Sequence, residues 1–360
     1  MNKAILTGIY TLTNTHCGTG QAVGAVDLPV ARESHSGMPF LPATMLKGVA
    51  RDEAEKIFPP ENGKPNKDLE RLFGSAPPQP FDTEGDDEQE AAPPGEGGSD
   101  QEKSSQDDRE PQEERKTRPG ALVFTDGRLL LLPIRSLERA FLWVTSRSLI
   151  HRFLRDLAVF EPVGAIDFKA DELPGVDISA REEAWVSASE LADALVLEDL
   201  VFAPERVAHA PALEKLGKHL LRLVPDRDNE RFITGWLPQR LALVGDEEFL
   251  DLAVRAIPVT ARTQLTSGKT TDAFRSAKGL EKGNLWYEET LPPECLFYSF
   301  VAERHSPTGS SSNLDFFREK IETKLKRVQI GGNETVGQGQ CWWTMLPARA
   351  AGSDTERRGE

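Results

Sequence analysis

Residues 76–118 divide this chain in a way that limits every fold open to it. After Phe81 the segment holds no large apolar residue, and its 43 positions carry 14 acidic and 5 basic side chains among Pro, Gly, Ser and Gln. Such a stretch cannot bury enough apolar surface to offset the entropy of ordering it. It is expected to be a disordered acidic insertion, so the folded part, one large domain or two or three smaller ones, must come from 1–75 and 119–346, with 347–360 as a flexible tail. The insertion also distorts the electrostatics. The full chain of 360 residues has a formal charge of −15, which argues against a nucleic-acid partner. The insertion alone accounts for −9, leaving −6 on the other 317 residues, so a local basic surface is permitted.

The flanking sequences alternate strand and helix patterns. Residues 4–13 are rich in β-branched and apolar types and predict a strand. Thr44 is placed to cap a helix in which Leu46, Val49, Ala50, Ile57 and Phe58 recur at helical spacing up to Pro59-Pro60. The run 121–134 predicts strand, turn and strand, and 140–145 another strand. Ser146 can cap a helix whose Leu149, Ile150, Phe153, Leu154 and Leu157 share one face. Helices are further expected at 211–223, 247–256 and 313–327, and strands near 285–303 and 341–346. No series of β-α-β units repeats, so the class is α+β with a largely antiparallel sheet and long loops.

Several classes of function are excluded. No window approaches the ~18 consecutive apolar residues of a membrane span, and the first residues lack a signal peptide's apolar run. A soluble, cytoplasmic protein without a membrane partner is expected. The three cysteines, Cys17, Cys295 and Cys341, form no C-x-x-C pair and are expected to be reduced, packed thiols. The six histidines make no metal-binding pattern. The segment SGKTT at 267–271 has Thr263 where a P-loop needs its first glycine, which argues against an NTPase.

Four segments could carry chemistry. The loop 16–37 contains Gly18, Gly20 and Gly24 and sets Asp27 between Val26 and Leu28; the aspartate is equally readable as a turn former or a functional acid. The start of the Thr44 helix, with Lys47 in its first turn, would suit an anion, although a surface lysine on an ordinary helix fits the residues as well. The run 330–340 holds Gly331, Gly332, Gly337 and Gly339 and could form a backbone phosphate nest or a flexible hairpin loop. Residues 258–283 carry a local charge of +3, including Arg262 and Lys269, in a polar sequence that predicts an extended lobe able to follow a phosphate backbone. It is followed by Trp286 and Tyr287, expected in the core, and by Glu288 and Glu289. On a strand those two acids face opposite sides, so at most one shares a site with another group.

Taken together, TNTHCGTGQAVGAVDLPVARESHSGMPFLPATMLKGVAR, LERLFG, ALVFTDGRLLLLPIRSLERAFLWVTS, LEDLVF, NLWYEETLPPECLFY and IGGNETVGQGQ follow one another as they do in the RAMP superfamily of CRISPR-associated proteins. Within it the chain most resembles the repeating backbone subunits of type III-B, or Cmr, effector complexes. The resemblance covers nearly all of 4–75 and 120–346; the acidic insertion is its main departure.

That resemblance implies a ferredoxin-like or RRM-like palm with an inserted thumb-like lobe at 258–283. It implies copies stacked along a guide RNA with other subunits of the complex, cutting bound complementary target RNA at regular intervals in antiviral defence. Asp27 corresponds to the family's cleavage residue. Thr44, Lys47, Arg51, Arg262, Lys269, Gly331, Gly332 and Thr335 correspond to RNA contacts, and His16 with one of Glu288 or Glu289 to positions near the cut. A Mg²⁺ or Mn²⁺ ion held through Asp27 is a further expectation, with the aspartate's role as metal ligand or base left open. A non-catalytic subunit that only coats RNA is the alternative.

Overall fold

The computed structural model describes residues 4–20, 22, 24, 26–60, 66–75, 118–162, 166, 168, 183–224, 231–265, 269, 274–275, 281–282, 285–304 and 312–346. All but Arg118 of the acidic insertion, the end of the chain from 347, and much of the 258–283 lobe lie outside the described residues.

In chain order the elements are β1 (Ala4–Thr11), β2 (Phe40–Leu41), α1 (Ala43–Glu55), α2 (Lys67–Phe73), β3 (Leu122–Phe124), β4 (Gly127–Ile134), β5 (Leu142–Ser146) and α3 (Arg147–Phe160). Next come four short strands, β6 (Ala184–Val186), β7 (Leu195–Leu197), β8 (Leu200–Phe202) and β9 (Val207–His209), then α4 (Pro211–Leu220) and α5 (Arg231–Trp236). The last stretch holds β10 (Leu241–Val244), α6 (Asp246–Arg255), β11 (Val259–Thr263), β12 (Phe274–Arg275), β13 (Glu281–Lys282), β14 (Leu285–Glu289), β15 (Leu296–Glu303), α7 (Asn313–Leu325), β16 (Arg327–Gln329) and β17 (Gln340–Met345).

The main sheet runs β16-β17-β1-β15-β4-β5-β10-β6-β9. Its centre, β17-β1-β15-β4, is antiparallel throughout. Helix α1 connects β1 to this sheet's β4 side and α7 connects β15 to β17, so these elements form a β-α-β-β-α-β ferredoxin-like palm. The sheet is mixed rather than purely antiparallel, because β10 pairs parallel with β5 and β9 parallel with β6. These pairings involve the short strands that follow α3, which carry too few residues for a periodic signal.

Both faces of the palm are covered, which explains why the β1 sequence AILTGIYT is apolar on both sides. Ile5 and Ile9 of β1 and Phe297 and Val301 of β15 belong to one core, with α1 and α7. Leu6, Tyr10, Tyr298 and Phe300, the alternate residues of the same strands, belong to the other core with α3 and α4. The α1 and α7 layers meet where Phe58 stacks on Phe316, with ring centroids 5.9 Å apart. On the opposite face Phe153 of α3 meets the edge of Tyr298 at 4.8 Å. The three cysteines are free and buried, and burial raises all three thiols, Cys341 to about 12, which leaves them protonated and inert.

The strand–turn–strand expected at 121–134 is present as β3 and β4. Strands β3 and β4 both pair with β15, at Val301 to Glu303 and at Leu296 to Tyr298 respectively, and Thr125 bridges the break by bonding Phe300 through both its backbone and its hydroxyl. One expectation is corrected: Thr44 is not the cap of α1. Pro42 holds that position with an extended backbone, and the free Ala43 N–H is satisfied from a distance by Asp126 Oδ1 at 2.8 Å. Proline brings no side-chain acceptor, so the turn between β3 and β4 supplies one. Ser146, by contrast, caps α3 as the sequence indicates, through Leu149 N–H. No helix among the described residues is long and apolar enough to cross a membrane.

The chain leaves and re-enters the domain at one point. Gly74 bridges to Pro119, Ser75 N–H donates to Arg118 O at 3.0 Å, and Arg118 N–H donates to Ser75 Oγ at 3.0 Å. Joining Ser75 to Arg118 through a four-residue turn in place of 76–117 is therefore expected to keep the melting temperature within about 3 °C. Thermal unfolding of the shortened chain checks this, and a fall beyond about 5 °C would mean that the segment packs on the domain.

Candidate active site

The site is built on one edge of β14. This strand is not part of the main sheet; it pairs antiparallel with β11, from Val259 opposite Glu289 to Thr263 opposite Leu285. Its other edge is occupied by the two ends of the 16–28 loop. Asp27 N–H and Leu28 N–H both donate to Tyr287 O, at 3.1 and 3.0 Å, and Glu289 N–H donates to Leu28 O at 2.9 Å. Beyond them, Thr15 and Leu291 exchange both backbone bonds at 2.9 Å. The two ends run in opposite directions along this edge, Thr15 bridging Leu291 antiparallel and Leu28 bridging Glu288 parallel.

This edge fixes both predicted reactive side chains. Asp27 is exposed, and its Oδ2 accepts Tyr287 N–H at 2.8 Å, so Oδ1 is left without a protein donor among the described residues. His16 Nδ1 lies 2.8 Å from Glu289 O. A carbonyl only accepts, so Nδ1 carries the hydrogen and a neutral ring presents its lone pair at Nε2. The two anchor points are two residues apart, about 7 Å along the strand. Gly18 packs directly on this ring: a Cβ there would fall 2.6 Å from Nε2.

Glu288 and Glu289 are buried and point to opposite sides, as adjacent strand residues must, but neither is a free acid or base. Glu289 pairs with Arg32 and accepts Val30 N–H at 3.0 Å, tying down the segment after Asp27. Arg32 continues to Gly37 O and Ala253 O, both at 3.1 Å, which links the loop to α6. Glu288 pairs with Arg262 at 2.6 Å and accepts from Asn333 Nδ2 at 2.6 Å. Each carboxylate holds one loop against the strand. Arg262, expected to meet RNA, is thus neutralised internally; a buried acid on the facing strand captures it.

The glycine-rich run is likewise braced against His16. Gly332 N–H donates to His16 O at 2.9 Å and Gly339 N–H to Asn14 O at 2.8 Å. Gly331 has φ +87°, and a Cβ there would sit 2.1 Å from His16 O, so only glycine fits. These donors serve the fold, which removes Gly332 and Gly339 from the expected nest. Thr335 is exposed in a single 3₁₀ turn, Glu334–Val336.

The remaining predicted contacts stand on other elements. Thr44 is exposed in the first turn of α1. Lys47 makes no ion pair among the described residues, and burial together with the charge of Arg51 lowers its pKa below the usual lysine range. Arg51 is occupied by Glu55 and by Gly74 O at 3.1 Å. Lys269 is exposed, with φ +60°. Sequence reasoning missed Arg32 and Asn333, since nothing in their local pattern marks them as partners of acids so distant in the chain. It also placed Tyr287 in the core, whereas 43% of this residue is exposed.

The expected metal does not find a protein-built site. Among the described residues no cluster of three or more His, Cys, Asp or Glu could hold an ion. Near Asp27, both glutamates are committed to arginines, so the described residues there offer a cation one carboxylate oxygen.

An α+β palm that pins an exposed acid and an imidazole to one strand edge beside a glycine-rich loop defines the class. The chain belongs to the RAMP superfamily, whose profile matches residues 8–342. It is 29% identical over 341 residues to the CRISPR system Cmr endoribonuclease Cmr4 of Pyrococcus furiosus, covering 94% of each chain. It is 24% identical over 225 residues to the CMR subunit Cmr4 of Saccharolobus solfataricus, covering 60% of this chain and 68% of that one. Its fold is that of oligomeric Cmr4 from Pyrococcus furiosus, with a TM-score of 0.60 and 23% identity over 96% of this chain and 98% of the other. It is also that of a chain in the type III-B Cmr-beta complex bound to cognate target RNA, with a TM-score of 0.60 and 18% identity over 95% and 97%.

Two substitutions test the bracing. Glu289→Gln leaves Arg32 without its counter-charge and is expected to lower stability by about 2–4 kcal/mol, read from the denaturation midpoint. Gly331→Ala, which meets both a positive φ and the His16 carbonyl, is expected to cost about 2 kcal/mol or more by the same measurement.

Proposed function

We propose that this chain is the guide-RNA-binding backbone subunit of a type III-B CRISPR interference complex and that it cleaves complementary target RNA within the assembled complex. The observation that carries the reading is the pairing of Asp27 and His16 on the β14 edge, in a chain whose relative of 94% coverage bears the name Cmr endoribonuclease. Further copies of the chain, other Cmr subunits, a guide RNA and a target RNA are its partners in this reading, and the cytoplasm its location.

The chemistry follows from the two side chains. A ribose 2′-oxygen attacks the adjacent phosphorus in line with the departing 5′-oxygen, giving a 2′,3′-cyclic phosphate and a 5′-hydroxyl. The attacking hydroxyl must lose a proton and the leaving oxygen must gain one. The exposed carboxylate of Asp27 can only accept, through Oδ1. His16 is the partner that donates, from Nε2 when that nitrogen carries a proton, while Nδ1–H stays on Glu289 O. Anchors about 7 Å apart, with hydrogen-bond reach of about 2.8 Å at each end, accommodate one phosphodiester between them. A Mg²⁺ or Mn²⁺ ion in this reading would take Asp27 Oδ1 as its one protein ligand; the residues do not form a cation site by themselves, and no step here is routed through one.

Sequence is read by guide–target pairing, so the protein needs only backbone and shape contacts. Lys47, a cation of α1 without a counter-ion among the described residues, is the clearest phosphate contact in this scheme, with Thr44 and Thr335 as exposed hydroxyls.

Asp27→Ala in the assembled complex is expected to slow target cutting by at least about a hundredfold, the usual contribution of a general base. Assembly and target binding should be unchanged. Cutting at full rate by this variant would reject the catalytic assignment and leave the RNA-coating subunit in its place.

A further inference from the structure

The β11–β14 ribbon has one uncovered face, and it lies beside Asp27. Leu285 and Tyr287 are 56% and 43% exposed, and Val259 across the ribbon is 48% exposed. The residues opposite the two large side chains in register are small, Ala261 facing Tyr287 and Thr263 facing Leu285, so the ribbon does not cover its own ring. The acid of this face, Glu289, is buried under Arg32. What remains is an apolar strip with an aromatic ring at its centre.

The position of that ring is unusual in one respect. Tyr287 N–H and C=O are the very groups that hold Asp27 Oδ2 and Asp27 N–H. Whatever rests on the ring therefore lies next to the carboxylate. The face is also small: five residues by two strands span about 17 Å by 10 Å. That is far below the roughly 800 Å² that each partner buries in a stable protein interface, yet ample for a nucleobase. Single-stranded bases are bound by stacking on exposed aromatic side chains, flanked by apolar contacts.

We infer that Tyr287 is a stacking platform for the nucleobase adjacent to the scissile phosphate, and that it positions the target for cleavage. This rests on the reading of the chain as an RNA-cleaving subunit. A base drawn onto the ring leaves its helical stack and turns its sugar and phosphate toward Asp27 and His16. In-line attack needs that splayed geometry, which a continuous A-form duplex does not offer.

The ring can be altered without touching the backbone bonds that hold Asp27. Tyr287→Phe keeps the stacking surface and is expected to cut target RNA within about threefold of the unaltered complex. Tyr287→Leu keeps an apolar side chain but not the ring, and is expected to cut roughly tenfold to a hundredfold more slowly at saturating target, with target affinity changed less than about threefold. 2-Aminopurine placed beside the cut in an Asp27→Ala background gives a second readout. Its fluorescence should change when Tyr287→Leu is added to that background and stay the same when Tyr287→Phe is added. Full-rate cutting by Tyr287→Leu, or identical fluorescence in all three complexes, overturns the inference. Loss of assembly in place of cutting overturns it too, and assigns the face to a second copy of the chain. Asp27→Ala alone is the control: its failure to block cutting removes the underlying reading, whereas a blocked Asp27→Ala with an unaffected Tyr287→Leu removes only this one.

Discussion

The hydrogen-bonding edge of β14 is the constraint on which the site depends. A two-stranded ribbon standing outside the main sheet is marginal by itself. Here β11 takes one edge of β14, and the ends of the 16–28 loop take the other, from Tyr287 to Leu291. The ribbon gains a third partner and the loop gains a template. An aspartate and a histidine from opposite ends of one loop thereby acquire a fixed spacing set by the strand repeat. Because every anchor is a backbone group of β14, that spacing is insensitive to most side-chain changes on the strand.

Adjacent acids on β14 turn this template into a junction. Alternation sends Glu288 and Glu289 to opposite sides, and each meets a loop that brings its own amide or guanidinium. Burying either acid alone would be costly, so each is matched with an arginine. The glycines complete the arrangement by removing side chains where backbone meets backbone. Gly331 lets the second loop touch His16 O, and Gly18 leaves space beside His16 Nε2. A glycine-rich run before a strand has the composition of a phosphate cradle, yet Gly332 and Gly339 spend their donors on protein atoms here.

Legibility in the sequence follows the range of the interaction. Periodic, local signals are readable: α3 with its Ser146 cap, α4, α6, α7, and the long strands β1, β4 and β15 lie where apolar spacing puts them. The break between β3 and β4 is not readable as one edge of β15, because pairing partners that far along the chain leave no local mark. The cap of α1 escapes for the same reason, since Asp126 acts from another turn. Within the site, Asp27 and His16 can be named from the motif, but the commitments of Glu288, Glu289 and Arg262 to one another and to Arg32 and Asn333 cannot. Tyr287 is misplaced because an aromatic next to a run of apolar and acidic strand residues reads as core, whereas alternation sends it to the open face.

The same internal pairing bears on the electrostatics of RNA binding under the proposed function. Arg32, Arg51, Arg128 and Arg262 are each neutralised by an acid within the domain. Lys47 is different: partly desolvated and next to Arg51, it has no acid of its own among the described residues, a state that an incoming phosphate would relieve. A domain that commits so many arginines to its own acids releases few counter-ions per copy, so each subunit alone should hold RNA weakly and with a shallow salt dependence. Affinity must then come from several copies engaging one strand, where each bound copy raises the effective concentration of the next. The same economy favours cutting over mere coating: a surface that grips the backbone lightly leaves a nucleotide free to turn out of its stack where Asp27 and His16 are held to the β14 edge.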